Sequence, residues 1–234
     1  MLKLKDCKIF QNHLLYEIES LNLAQGEFVA LIGANGSGKS SFFNQLFFQK
    51  VPPGNVCFNS KKWDDISFQE RSKLVTLVDN HFLGLDYLIT HEYLELGRTT
   101  HTDIWGKIGT KDHAIVKEYS EKLRISHLLT QATSTLSDGE RQRASIAKAL
   151  IQETPLILLD EPTAFLDYPT KIEVMELLHN ISKNEKKLII IASHDIDFCL
   201  KYCTRFLIIN QLKKQLVSFN QLTKEQLLNE AFNL

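Results

Sequence analysis

Three short stretches of this chain carry residues whose types and spacing suit chemistry on a phosphate. The first is Gly33-Ala34-Asn35-Gly36-Ser37-Gly38-Lys39-Ser40, a G-x-x-x-x-G-K-S run followed by Ser41. Glycines let a backbone curl until successive N–H groups converge on an anion. The lysine closing such a loop reaches the β- and γ-phosphates of a nucleotide, and the next hydroxyl ligates Mg²⁺. The second is Asp160-Glu161, at the end of the apolar run Leu156-Ile157-Leu158-Leu159. Asp160 there is placed to hold Mg²⁺ through water, and Glu161, one residue on, to polarise an attacking water. Read alone, the same two acids also suit a plain strand exit into solvent. The third is Ser193-His194-Asp195, after the run Leu188–Ala192. A histidine at the carboxyl end of a parallel strand lands at the same sheet edge, where it can contact the γ-phosphate.

Such residues need strands to deliver them and a helix to receive the phosphates. Phe28–Ile32 is a continuous apolar run, the mark of a strand buried on both faces, and it feeds the glycine loop. Residues 39–48 then read as an amphipathic helix whose positive dipole end faces the anion. Residues 2–9 and Leu14–Leu23 alternate as strands, residues 55–59 read as a hairpin strand after Pro52-Pro53-Gly54, and residues 73–78 form another strand. From His81 to about Thr135 helical patterns dominate, as in 91–97 and 112–123, which implies an inserted helical lobe. Beyond it, strands at 155–159 and Leu188–Ala192 alternate with helices at 139–151, 170–181 and 195–202. That order predicts an α/β fold, a parallel sheet with helices on both faces. Thr223 and Gln226 predict a capping box for a last helix.

The bulk properties narrow the setting. A chain of 234 residues fits one large domain, or one domain with an inserted lobe, and 44% hydrophobic residues suffice for a sizeable core. A formal net charge of −1 offers no global positive field for nucleic acid. The cysteines, Cys7, Cys57, Cys199 and Cys203, form no C-x-x-C pair, which argues against zinc and for a reducing compartment. The opening residues lack an apolar leader core, so no secretory signal is expected. The longest apolar runs are strand-sized, so any membrane span must come from a partner.

Leu136-Ser137-Asp138-Gly139-Glu140 opens a helix after the lobe. Ser137 with Glu140 three residues later is a capping box, and a helix start carrying serine and glycine is also an anion site. This segment, the phosphate loop, Leu156 to Glu161, the loop Ala164-Phe165-Leu166-Asp167 and His194 follow one another in an order that resembles the ATP-binding subunits of ABC transporters, whose signature is usually written LSGGQ. The resemblance covers nearly the whole chain. It implies a P-loop NTPase core from 1–80 and 136–234, with an antiparallel β subdomain on the N-terminal side and a helical subdomain at 81–135. It implies ATP and Mg²⁺ as cofactors and ATP hydrolysis as the reaction. Gly33, Ala34, Asn35, Gly36, Ser37, Gly38, Lys39, Ser40 and Ser41 would hold the nucleotide, Ser40 and Asp160 the metal, and Lys39, Glu161 and His194 would carry the catalysis. Ser137 and Gly139 would serve the γ-phosphate held by a second copy in a head-to-tail dimer, and Asp167 would cross the interface. The adenine-stacking aromatic lies in the early strands, with Phe10 first by spacing and Tyr16 in reserve.

Some positions depart from the family pattern. Asp138 replaces a glycine and Glu140 a glutamine, and Asp138 puts a carboxylate near phosphates unless it points away. A glutamine that contacts Mg²⁺ ends the strand before the helical lobe in the family. Here Asp79 takes that place by register as a metal contact, with Asn80 one step on. A simple turn cap is the other reading of Asp79.

Leu96-Gly97-Arg98 and Trp105-Gly106-Lys107-Ile108-Gly109 resemble segments of the ATPases that serve siderophore, haem and cobalamin importers. The resemblance then implies integral membrane permease subunits as partners, a substrate-binding protein indirectly, and a place at the cytoplasmic face of the inner membrane. No nucleic-acid partner is expected. Open alternatives are another ABC transporter, for a different metal or for lipoprotein release, and a soluble ABC ATPase that transports nothing. The soluble class usually carries paired cassettes, long linkers or coiled coils, whereas this chain has one cassette and no heptad run. A GTPase or small-molecule kinase would leave the 136–140 segment unexplained, and the guanine-reading Asn-Lys-x-Asp is absent.

Overall fold

The structure is a computed structural model that describes residues 1–48, 53–79, 82–102 and 106–232. Its first strands, β1 (Leu2–Phe10) and β2 (Leu14–Leu23), pair antiparallel, and their alternating burial follows the alternating sequence. β3 (Phe28–Ile32) is buried at every position and runs through the phosphate loop into α1 (Lys39–Phe47). β4 (Asn55–Phe58) and β5 (Lys61–Lys62) form a hairpin, followed by the single turn α2 (Phe68–Arg71) and by β6 (Val75–Val78). β6 starts two residues later than the apolar run predicts, because the amides of Lys73 and Leu74 bond back to Glu70 and Arg71 in a turn.

The segment between β6 and β7 is helical, with one isolated bridge, Ile89 to Ala132, among the described residues. It contains α3 (Thr90–Glu95), a 3-10 stretch at Leu96–His101 and α4 (Thr110–Lys122), and it leads into α5 (Asp138–Ile151). The helix expected over 91–97 tightens from Leu96 onward. Gly97 lies against α5 so closely that a Cβ there would meet the Lys148 carbonyl oxygen at 2.6 Å. β7 (Leu156–Asp160), α6 (Tyr168–Asn184), β8 (Leu188–Ala192) and α7 (Ile196–Tyr202) complete the alternating half. β9 (Arg205–Asn210) and β10 (Gln215–Phe219) form a closing hairpin, and α8 (Lys224–Phe232) carries the expected box, with the Thr223 amide bonded to Gln226 and the Gln226 amide to Thr223 Oγ1.

Among the described residues all ten strands share one sheet in the order β5-β4-β1-β2-β10-β9-β3-β8-β7-β6. β9, β3, β8, β7 and β6 are mutually parallel, while β5, β4, β1 and β2 are antiparallel. The antiparallel part is therefore not a separate sheet. Gln215 of β10 pairs with Glu17 of β2 and joins the two halves. Side chains of β3 divide between two cores. Phe28, Ala30 and Ile32 face α5 and α6, whereas Val29 and Leu31 face α1 and the early strands. Phe42, Phe43 and Leu46 of α1 are fully buried in the second core. Each such side chain contributes about 1.5–3 kcal/mol, which outweighs the modest helix propensity of a phenylalanine-rich segment. Among the described residues no helix is long and apolar enough to cross a membrane.

Candidate functional site

Parallel strands end on one edge of their sheet, and four of them end together here. The register aligns Leu31 of β3 with Ala192 of β8, and Ala192 with Asp160 of β7, so the phosphate loop, Asp160-Glu161 and Ser193-His194 leave the sheet side by side. β6 brings Asp79 to the same edge, one residue past Val78. A cavity of about 410 Å³ lies there, walled by residues 35–41, Asp79, Asp160, Glu161 and His194.

The loop is held tightly. Gly36 and Gly38 take left-handed φ values of 73° and 101°, and a Cβ on Gly38 would lie 2.7 Å from Leu15 Cδ1. Glycine is the residue that meets both demands without strain. Gly38 is also the N-cap of α1, so that helix points its positive end at the cavity. Gly33 and Ala34 do not line the cavity. Their carbonyls hold Lys39, whose Nζ donates to Gly33 O at 2.9 Å and Ala34 O at 3.3 Å and lies 3.3 Å from His194 Nε2. The lysine is buried, and burial lowers its pKa against the raising pull of Glu161 and Asp160. Ser37 Oγ is buried and has no hydrogen-bond partner among the described residues. An anion in the loop would supply one.

Ser40 Oγ donates to Asp160 Oδ2 at 2.5 Å. A hydroxyl and a carboxylate side by side at a cavity wall are the hard oxygen donors that Mg²⁺ takes, so the donor set fits that ion. Glu161 leaves the strand at a left-handed φ of 51°, its amide bonded to Ala192 O at 2.9 Å, and it lines the same cavity as Asp160. Glu161 Oε1 lies 3.2 Å from His194 Nε2, yet it makes no hydrogen bond among the described residues. Burial pushes the Glu161 carboxyl up to about 7, with Lys39 pulling the other way. Burial and then the Lys39 charge lower His194. The pair therefore presents a neutral imidazole beside a carboxyl that exchanges its proton near neutrality, which suits a group meant to accept a proton from water.

Several sequence candidates stand elsewhere. Ser137 and Gly139 lie at the start of α5, outside the cavity. Ser137 Oγ donates to Glu140 Oε2 at 2.7 Å and accepts from the Glu140 amide at 3.3 Å, the reciprocal capping box. Asp138 pairs with Arg141 at 2.5 Å, so its charge is compensated within its own helix. A Cβ on Gly139 would lie 3.0 Å from Phe165 O, in the loop that ends at Asp167. Asp167 caps α6 by accepting from the Thr170 amide at 3.1 Å. Phe10 is partly exposed at the end of β1, but its neighbour Gln11 lines the cavity and Phe10 does not. Tyr16 cannot stack on a base. It is fully buried beneath the loop, with its hydroxyl 3.4 Å from Gly38 O. Asp79 opens onto the cavity; burial lowers the half-buried Lys148 amine and pushes the Tyr93 hydroxyl up to about 12, and the Asp79 charge opposes the first shift and adds to the second. Asn80 and Trp105 lie outside the described residues.

Some contributors went unread in the sequence. Asp195 accepts from Thr163 Oγ1 at 2.6 Å and pairs with Lys171 Nζ at 2.9 Å, which fixes the 161–166 loop beside His194. Burial alone would raise Asp195, but the bonds from Thr163 and Lys171 win and lower it. Buried Gln142 reaches Glu161 O at 3.5 Å and so links α5 to the strand end. Only the position of Asp195 next to His194 hinted at such a role.

The family model for ABC transporters matches residues 16–164. An uncharacterized ABC transporter ATP-binding protein of Methanocaldococcus jannaschii is 30% identical over 237 residues, covering 100% of this chain and 82% of the relative. The petrobactin import ATP-binding protein of Bacillus anthracis is 33% identical over 230 residues, covering 96% and 83%. Among solved structures, an inward-facing transporter described as of metal-chelate type has the same fold, with a TM-score of 0.83 at 24% identity over 100% of this chain and 89% of that one. A dimeric bacterial ABC transporter cassette matches with a TM-score of 0.77 at 25% identity, over 88% and 93%. With its phosphate loop, acidic strand end and capped signature helix set in this mixed sheet, the chain belongs to the ABC transporter family as one of its ATP-binding ATPase subunits.

Proposed function

We propose that this chain hydrolyses ATP as one half of a head-to-tail dimer and thereby drives import of an iron chelate, a siderophore or haem, or of cobalamin, through membrane permease subunits. The observation that carries the chemistry is the convergence of Lys39, the Ser40–Asp160 pair and the Glu161–His194 pair on one sheet edge. In this reading the amides of 33–41 and the Lys39 ammonium cradle the triphosphate. Mg²⁺, held by Ser40 directly and by Asp160 through water, with Asp79 as a further oxygen donor, would neutralise charge developing on the phosphates. Glu161 orients the attacking water and accepts its proton, and His194 contacts the γ-phosphate. Phe10 stacks on the adenine, beside Gln11 at the cavity wall. Ser137 and the Gly139 amide complete the site of the opposite copy, and Asp167 lies at the dimer interface. The core, 1–80 and 136–234, carries the nucleotide, and the helical lobe, 81–135, meets the permease.

The cargo reading rests on the relatives. The similar proteins include the petrobactin import ATP-binding protein of Bacillus anthracis and a ferric enterobactin transport ATP-binding protein of Escherichia coli, 29% identical over 195 residues.

Glu161→Gln should reduce turnover by at least about a hundredfold while ATP still binds, and the trapped nucleotide should hold a dimer visible by size-exclusion chromatography. Lys39→Ala should lose ATP binding itself. Adding Ser137→Arg to Glu161→Gln should abolish the ATP-dependent dimer but keep monomer affinity. Wild-type turnover in Glu161→Gln would reject the role of that carboxylate.

A further inference from the structure

A second group of chemistry-bearing side chains lies in the helical segment, away from the nucleotide cavity. His91 and Glu95 stand four residues apart on α3, so the helical repeat puts them on one face. His113, in the first turn of α4, packs against the same face. Glu95 Oε1 lies 3.0 Å from His113 Nδ1 and 3.7 Å from His91 Nδ1. The three ligand atoms all fall within 4.8 Å of one another, and the two imidazole rings stack at 6.3 Å with their planes 21° apart.

The contacts do not satisfy one another. Glu95 Oε1 is buried, and among the described residues it has no hydrogen-bond partner, although His113 Nδ1 lies 3.0 Å away. A buried carboxylate oxygen without a partner is costly. The neighbouring cation cannot supply one. Arg98 is committed to Asp112 at 2.7 Å and to Glu153 at 2.6 Å.

We propose that His91, Glu95 and His113 form a site for a divalent transition-metal ion that ties α3 to α4. Two imidazole nitrogens and one carboxylate oxygen suit borderline ions of the Zn²⁺, Ni²⁺, Co²⁺ and Cu²⁺ kind, and they disfavour Mg²⁺ and Ca²⁺, which take oxygen. Ligand atoms sharing one such ion sit about 3–3.5 Å apart, given bonds of about 2.0–2.2 Å. The observed separations approach that range, and both imidazoles are exposed enough to rotate the remainder. Three protein ligands leave positions for water. The ion would brace α3, whose Tyr93, with the following Leu96, lines a groove of about 470 Å³ against β6 and α5. The site is independent of the nucleotide chemistry, so either can fail without the other.

The test uses the nucleotide-free chain, stripped with EDTA. Calorimetric titration with Zn²⁺ should show one saturable site of micromolar affinity. Co²⁺ should bind with visible d–d absorption bands that Zn²⁺ removes. His91→Ala, His113→Ala and Glu95→Gln should each weaken binding at least tenfold, and all three should keep ATP affinity. Added Mg²⁺ with ATP should leave the Co²⁺ spectrum unchanged. The proposal falls if no saturable binding occurs, or if His91→Ala combined with His113→Ala binds Zn²⁺ as the wild type does, since the ion would then sit on other residues.

Discussion

Glu161 is half-buried next to a lysine and a histidine, and its proton affinity follows from that placement. Burial raises its carboxyl from an ordinary 4.5 to about 7, and Lys39 opposes the rise. The folded chain thus holds a proton between pH about 4.5 and about 7 that the unfolded chain has released. This contribution to stability is present in full below the lower value and is lost as pH rises through the upper one. Glu161→Gln removes the titration and keeps the shape. Thermal unfolding without nucleotide should therefore show a smaller difference between wild type and variant at pH 5 than at pH 8. Above pH 8 the variant should be more stable by about 1–3 kcal/mol, or several degrees in a chain of this size. A difference that stays constant from pH 5 to pH 8 would show that burial does not govern this carboxyl. If Glu161 has the proposed role of base, the same placement bears on rate, because a base with a pKa near neutrality is the efficient one at physiological pH.

Helices decide how the sheet edge at the cavity is supported. The Leu96-Gly97-Arg98 segment, which resembles the importer ATPases, has a plain structural task. Gly97 lets the chain pass against the Lys148 carbonyl, and Arg98 is buried where it joins Asp112, Glu153 and the Ile151 carbonyl, the last at 2.8 Å. One guanidinium thereby fastens the 3-10 stretch and the start of α4 to the end of α5. Arg98→Ala would strand those acceptors. The expected cost is about 2–3 kcal/mol, below the fully buried case because Glu153 is partly exposed. Chemical denaturation should report that loss, and Arg98→Lys should recover less than half of it, since an ammonium lacks the fork that reaches three acceptors. Full stability in Arg98→Ala would remove the fastening role. At the other end of α5, the Asp138–Arg141 pair explains how an acid is tolerated in the signature. The charge is met three residues on and its carboxylate is turned to its own helix.

The mixed sheet brings distant parts of the chain to one place. Residues near 35, 79, 160 and 194 meet because β3, β6, β7 and β8 run parallel and end together. The β10–β2 pairing joins the early strands to this sheet, so Gln11 reaches the cavity from the far end of β1. At this scale the proposed cargo is open to test. Cells lacking this chain should grow poorly when a siderophore or haem is the sole iron source, and Glu161→Gln should not rescue them. Unchanged uptake of every siderophore, haem and cobalamin offered would reject that cargo and leave the ATPase intact.

The sequence by itself supplied the inventory of candidate site residues. The glycine loop, Asp160-Glu161, His194 and the Ser137–Glu140 box are local patterns, each tied to a strand or helix end by periodicity that the chain carries within a few residues. The alternation of strands and helices was legible for the same reason. Tertiary structure decided what depends on residues far apart. It placed Tyr16 under the loop and out of reach of a base, although the residue type alone suits stacking. It drew the early strands and the parallel core into one sheet through the single Gln215–Glu17 pairing, which no local pattern announces. It raised the Glu161 carboxyl, because burial is a property of the packed molecule. It gathered His91, Glu95 and His113, since the helical repeat explains the first two and only the packing of α4 on α3 brings the third. Local spacing is written in the chain, while dielectric environment and long-range neighbours arise only when the sheet and helices close on one another.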